Sequence, residues 1–143
     1  RACLRFDYGP WDEGYGELSD VRDAYAWARA RYDRVDLFGY SFGGCLALVA
    51  AAREAAAGVP PGSVVALSPA ARLAAEIDAV AAIEDIECPV GVVYGERDTT
   101  VDAEAVAERV RERGGRVVVL SADHHFVGQA KTVAERVVEL LSA

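Results

Sequence analysis

Ser41, Asp98 and the adjacent pair His124 and His125 are the side chains whose types and order could carry covalent chemistry. A serine hydroxyl is a weak nucleophile near neutral pH and needs a base within hydrogen-bond reach. Imidazole, with an ordinary pKa of about 6.5, can take that proton and return it. A carboxylate behind the imidazole fixes its tautomer and stabilises the cation that forms. The order Ser, Asp, His supports acyl transfer with Ser41 as nucleophile, His124 as base and Asp98 as the orienting acid. His125 in place of His124, and Glu96 or Asp123 in place of Asp98, stay open on spacing alone. Each residue also has a plain structural reading: Ser41 as a small residue in a tight turn, Asp98 as a turn former.

These residues need elements to position them. The stretch Gly39-Tyr40-Ser41-Phe42-Gly43-Gly44 joins an apolar run over 35–38 to an alanine-rich helical run over 45–57. Gly-x-Ser-x-Gly between a strand and a helix is the nucleophile elbow, a sharp turn that holds the serine in a strained conformation above the sheet. Glycines two positions on either side allow strand and helix to approach closely. The helix would aim its unpaired N–H groups at the site, and Phe42 N–H is the candidate oxyanion donor. Tyr40 is a candidate for lining a substrate pocket, as is the Phe42 side chain; Trp11 and Tyr15, in a loop over the sheet edge, read rather as packing residues.

Apolar runs without polar alternation at 64–67, 90–94 and 117–120, with those at 2–6 and 35–38, are separated by helix-length segments. That pattern predicts an α/β fold: a three-layer sandwich with a mostly parallel sheet of about five strands, forming a single domain over 1–143. Leu18, Val21, Tyr25, Ala28 and Tyr32 recur at helical spacing behind Ser19 or Asp20 as a cap. Leu73, Ile77, Val80 and Ile83 would share one face of a helix over 70–85. Asp102 can cap a helix bearing Val106 and Val110, and a last helix from about 128 would bury Val133, Val137, Leu140 and Leu141. In an open α/β sheet functional residues collect at the carboxyl ends of the strands, where Ser41, Asp98 and His124 fall.

The net charge of −8 argues against a nucleic-acid partner, and the 15 basic residues are interleaved with acids. Lys131 alone among them is lysine, which fits a salt-adapted surface and, equally, an arginine-favouring GC-rich gene. No apolar run is long enough to span a bilayer and the N-terminus lacks a signal-peptide layout, so the expectation is a soluble, cytoplasmic protein without a membrane partner. Cys3, Cys45 and Cys88 read as reduced core residues, and no metal-ligand spacing is present, so neither metal nor cofactor is expected.

With these motifs in this order the chain resembles the α/β-hydrolase superfamily, and more narrowly its small, lidless, dienelactone-hydrolase-like members. The resemblance runs through Leu4-Arg5-Phe6-Asp7, Gly14-Tyr15-Gly16-Glu17, the elbow, Gly95-Glu96-Arg97-Asp98 and Ala122-Asp123-His124-His125-Phe126. Small hydrolases of this kind often show Asp-His-Phe-Phe at the last position, which maps the catalytic histidine onto His124. The resemblance implies hydrolysis of a carboxylic ester or related small acyl substrate, with thioesterase or serine peptidase as alternatives within the fold. A non-catalytic binding or assembly module is the alternative from another class. It also implies further strands ahead of the 2–6 run, one of them lying between that run and the elbow strand, and a loop giving a second oxyanion N–H. A chain without them is expected to expose a sheet edge that invites a homo-oligomer or a separate N-terminal piece. Loss of one oxyanion donor removes about 2–4 kcal/mol of transition-state stabilisation.

Overall fold

A computed structural model describes residues 2–142. In chain order the elements are α1 (Tyr15–Arg29), β1 (Leu37–Tyr40), α2 (Phe42–Ala56), β2 (Val64–Leu67), β3 (Arg72–Ala74), β4 (Ile77–Asp78), α3 (Ala79–Ala82), a 3-10 turn (Ile83–Asp85), β5 (Val90–Gly95), α4 (Ala103–Glu112), β6 (Arg116–Leu120) and α5 (Ala130–Leu141). Four strands form one parallel sheet in the order β1-β2-β5-β6.

Strand alternation sorts the apolar side chains to two faces. Val64, Ala66, Val90, Val92 and Tyr94 join the core built with α1, α2 and α4. Val65, Leu67 and Val93 join a smaller core with Ala122, Phe126 and the α5 residues Val133, Val137 and Leu140. Both faces are covered, so the expected three-layer α/β sandwich is the observed fold. The alanine-rich α2 is buried along nearly its whole length, which places the helix that starts at the elbow in the centre of the larger core.

The run over 2–6 is not a strand: it is irregular and exposed, so the parallel sheet has four members. A strand requires a hydrogen-bonded neighbour, and among the described residues β1 pairs only with β2. Phe6 instead packs edge-on against Tyr8. Phe38 and Tyr40 of β1 are 49% and 41% exposed. Cys3 is exposed, not in the core, whereas Cys45 and Cys88 are buried and burial pushes their thiols up to about 12 and about 11.

The helix expected over 70–85 is replaced by the antiparallel β3–β4 hairpin, the short α3 and the 3-10 turn. Backbone bonds explain this. Ala70 N–H donates to Ser41 C=O at 3.0 Å and Ala79 N–H to Ala71 C=O at 2.8 Å, while Asp78 caps α3 through Ala81 N–H. Ala70 is thus tied to the elbow and Ala79 is tied back to Ala71, which prevents one continuous helix, yet Ile77 and Ile83 are still fully buried.

Helix α1 starts a turn earlier than Ser19 or Asp20 would allow. Gly14, at φ 96°, is its N-cap, and Glu17 Oε1 accepts the N–H groups of Gly14 and Asp12. No helix among the described residues is long and apolar enough to cross a membrane.

Candidate active site

Ser41 sits between β1 and α2 at φ 56° and ψ −113°, a conformation that is costly for any residue with a side chain. It is held there by its own backbone. Its N–H donates to Leu67 C=O at 2.8 Å, and its C=O accepts from Gly44, Cys45 and Ala70. A β-carbon on Gly39 would overlap the Gly43 carbonyl, and one on Gly44 would stand 3.0 Å from Pro69. The glycines are therefore steric requirements of the turn. Ser41 makes no side-chain cap to α2, and the N–H groups of Phe42 and Gly43 lie in the first turn of that helix, where no intrahelical acceptor exists.

The acid turn follows β5. Asp98 Oδ1 accepts from Thr100 N–H at 2.9 Å and Val101 N–H at 3.2 Å. Its other oxygen, Oδ2, lies 2.7 Å from His124 Nδ1, with side-chain exposures of 2% for Asp98 and 7% for His124. Burial alone would raise the Asp98 pKa; the hydrogen bonds from His124, Val101 and Thr100 outweigh it and hold the carboxyl below its ordinary value. With Nδ1 committed to Asp98, Nε2 is the ring nitrogen left for other chemistry.

The loop after β6 is brought onto the acid turn by Gly95, where a β-carbon would meet the Ala122 carbonyl oxygen. Glu96 N–H donates to Leu120 C=O and Arg97 N–H to Ala122 C=O, each at 2.9 Å. Tyr40, the residue before the elbow serine, closes the arrangement from the β1 side. Its hydroxyl donates to His124 C=O at 2.7 Å and its ring stacks on the imidazole with centroids 5.2 Å apart. Burial, then the Asp98 and Asp123 charges, raise the Tyr40 pKa, so the phenol stays protonated for that bond.

The structure thus pairs Asp98 with His124 and ties that histidine, through Tyr40, to the strand that leads into Ser41. The sequence alternatives stand elsewhere. His125 is exposed and its N–H bonds Asp123 Oδ1 at 2.9 Å, while Glu96 is exposed beside Arg97. Two features were not read from the sequence. Tyr40, expected only as a pocket residue, has its hydroxyl engaged by the histidine loop. Ser68, at the end of β2, is fully buried at φ 41° with no partner for its hydroxyl among the described residues. The Ser-Pro pair closing an apolar run was the signal available for it. A concavity of about 350 Å³ between α1 and α2, lined by Tyr15, Leu18, Arg22 and Arg53 among others, includes none of Ser41, Asp98 or His124. No group of three or more His, Cys, Asp or Glu side chains among the described residues is placed to hold a metal ion.

A parallel sheet with a strained serine on the turn into its central helix, and an Asp–His pair on later strand-end loops, defines the α/β-hydrolase fold. The sequence profile of the dienelactone hydrolase family matches residues 12–136, and the chain belongs to that family. Among curated proteins no sequence matches. Solved structures share the fold at low identity. An α/β serine hydrolase homologue from Coxiella burnetii has a TM-score of 0.70 at 24% identity, over 92% of this chain and 61% of that one. A lidless α/β serine hydrolase from Xanthomonas campestris has a TM-score of 0.68 at 23% identity, over 94% and 59% respectively. Est1E from Butyrivibrio proteoclasticus gives 0.70 at 17% identity, over 91% and 72%. The chain spans about three fifths of the length of the first two.

Proposed function

We propose that this chain hydrolyses a carboxylic ester or related acyl compound through an acyl-Ser41 intermediate. The observation that carries the reading is the buried Asp98–His124 bond of 2.7 Å, joined through Tyr40 to the elbow strand. In the first step Ser41 Oγ bonds to the substrate carbonyl carbon and its proton passes to His124 Nε2. The carbonyl π pair moves onto oxygen, where Phe42 N–H at the start of α2 receives the charge. Asp98 balances the imidazolium without taking its proton. Collapse expels the alcohol, which leaves with the proton held by His124. Water then repeats the sequence on the acyl-serine, releasing the acid and restoring Ser41.

A fluorophosphonate probe tests the nucleophile directly. Wild-type chain is expected to be labelled and Ser41→Ala to be inert. Equal labelling of both, or of neither, overturns the reading and leaves the binding-module alternative.

A further inference from the structure

The loop ahead of α1 sets Tyr8 against the first turn of α2. A β-carbon built on Gly43 would lie 3.3 Å from Tyr8 Oη, which puts the hydroxyl beside the backbone that follows Phe42. The Tyr8 ring meets the Phe42 ring edge-on, with centroids 5.7 Å apart at 77°. The loop is fastened to α1 just after this contact, at two points. Gly9 N–H donates to Asp20 Oδ2 at 2.8 Å, and Asp12 N–H to Glu17 Oε1 at 3.1 Å. Among the described residues no hydrogen bond engages the Tyr8 hydroxyl, in contrast to those of Tyr15, Tyr25 and Tyr40.

A hydroxyl in this position faces the first turn of the helix that begins at the nucleophile. The amides there are already donors, so the group that would bond all of them together is an anionic oxygen. A phenol donates as long as it is protonated. Burial first, then the Glu17 and Asp20 charges, hold Tyr8 above its ordinary value of 10.0, so it remains a donor throughout the range in which an imidazole base works.

We propose that Tyr8 O–H is the second donor to the oxyanion, acting with Phe42 N–H. The assignment rests on Ser41 being the nucleophile. As Ser41 Oγ bonds to the carbonyl carbon and the π pair moves onto oxygen, Tyr8 donates a hydrogen bond to that oxygen and keeps its proton. When the tetrahedral intermediate collapses, the pair returns to re-form C=O and the hydrogen bond weakens. A side-chain hydroxyl thereby does the work of a second backbone amide, and the aromatic contact with Phe42 holds it in register.

The test compares wild type, Tyr8→Phe and Ser41→Ala by the rate of phosphonylation with a fluorophosphonate, whose phosphonyl oxygen would occupy the same position, and by p-nitrophenyl acetate hydrolysis. Tyr8→Phe keeps the ring and its packing. It is expected to melt like wild type, to be labelled roughly 100- to 1,000-fold more slowly, and to lose kcat by a similar factor at nearly unchanged KM. Ser41→Ala is expected to be inert. If Tyr8→Phe matches wild-type labelling while Ser41→Ala is inert, Tyr8 is not a donor and the nucleophile assignment stands. A Tyr8→Phe effect confined to KM or to melting temperature makes Tyr8 a packing residue and overturns the proposal. If wild type is not labelled, or Ser41→Ala is labelled equally, the reading of Ser41 fails and the role of Tyr8 falls with it.

Discussion

Asp98 is the residue at which electrostatics and geometry are most tightly joined. Its carboxylate takes two backbone N–H groups on one oxygen and the imidazole on the other, so it is a finished hydrogen-bonding unit before any substrate arrives. Because the folded-state pKa lies below the ordinary 3.8, ionised Asp98 stabilises the fold fully above that value, and the contribution disappears as pH falls through the lower folded value. Asp98→Asn is therefore expected to lower stability at pH 7 and to converge with wild type in acid, as pH-dependent melts would record. Convergence near neutrality, or none in acid, would contradict it. The same variant is expected to slow hydrolysis on the order of 10⁴-fold, since an amide no longer holds the productive tautomer. Ser41, Asp98 and His124 stood out in the sequence as candidates because each sits in a local turn after an apolar run, where the proposed nucleophile, acid and base are needed. The choice of His124 over His125, and the contacts of Tyr8 and Tyr40, depend on which loops meet in space, and residue type alone cannot say that.

At the scale of elements, the parallel strands and their crossover helices were legible because continuous apolar runs and helical spacing are strong local patterns. Two segments were not. The apolar residues of 70–85 do point inward at near-helical spacing, but Ala70 and Ala79 are drawn into backbone bonds that a helix would not allow. The 2–6 run has strand composition, yet no neighbour in the sheet takes its hydrogen bonds. The elbow is the converse case, where close approach of β1 and α2 dictates the glycines. Gly39→Ala would force a methyl group into the Gly43 carbonyl, so strand and helix must separate. The expected cost is about 1–3 kcal/mol or more, several degrees in melting temperature, together with loss of fluorophosphonate labelling. Gly58→Ala is the control: φ is 81° but nothing lies within 4 Å of the new methyl group. It should cost only the left-handed strain, about 1–2 kcal/mol, and leave labelling intact. Equal labelling of the two variants would remove the steric account of the elbow.

The whole molecule carries a net charge of −8. Among the described residues Arg97–Glu96 and Arg136–Glu139 are exposed, local ion pairs, and pairs of that kind contribute little to stability. Mutual repulsion among the carboxylates is then the larger electrostatic effect, and it acts against the compact state. Dissolved salt screens it over a distance of about 10 Å at 0.1 M. Thermal melts from low salt upward are accordingly expected to rise by a few degrees to about 0.5 M and then level off, because the repulsion is screened by that point while the hydrophobic cores are little changed. A continued rise into molar salt, with a non-precipitating anion such as chloride, would mean that the acidic, lysine-poor surface is itself adapted to salt. A melting temperature that falls on adding salt would mean that attractive pairs outweigh repulsion, against the charge balance argued here. A flat response would leave the near-absence of lysine as a property of the gene's composition, with no part in the energetics of the fold.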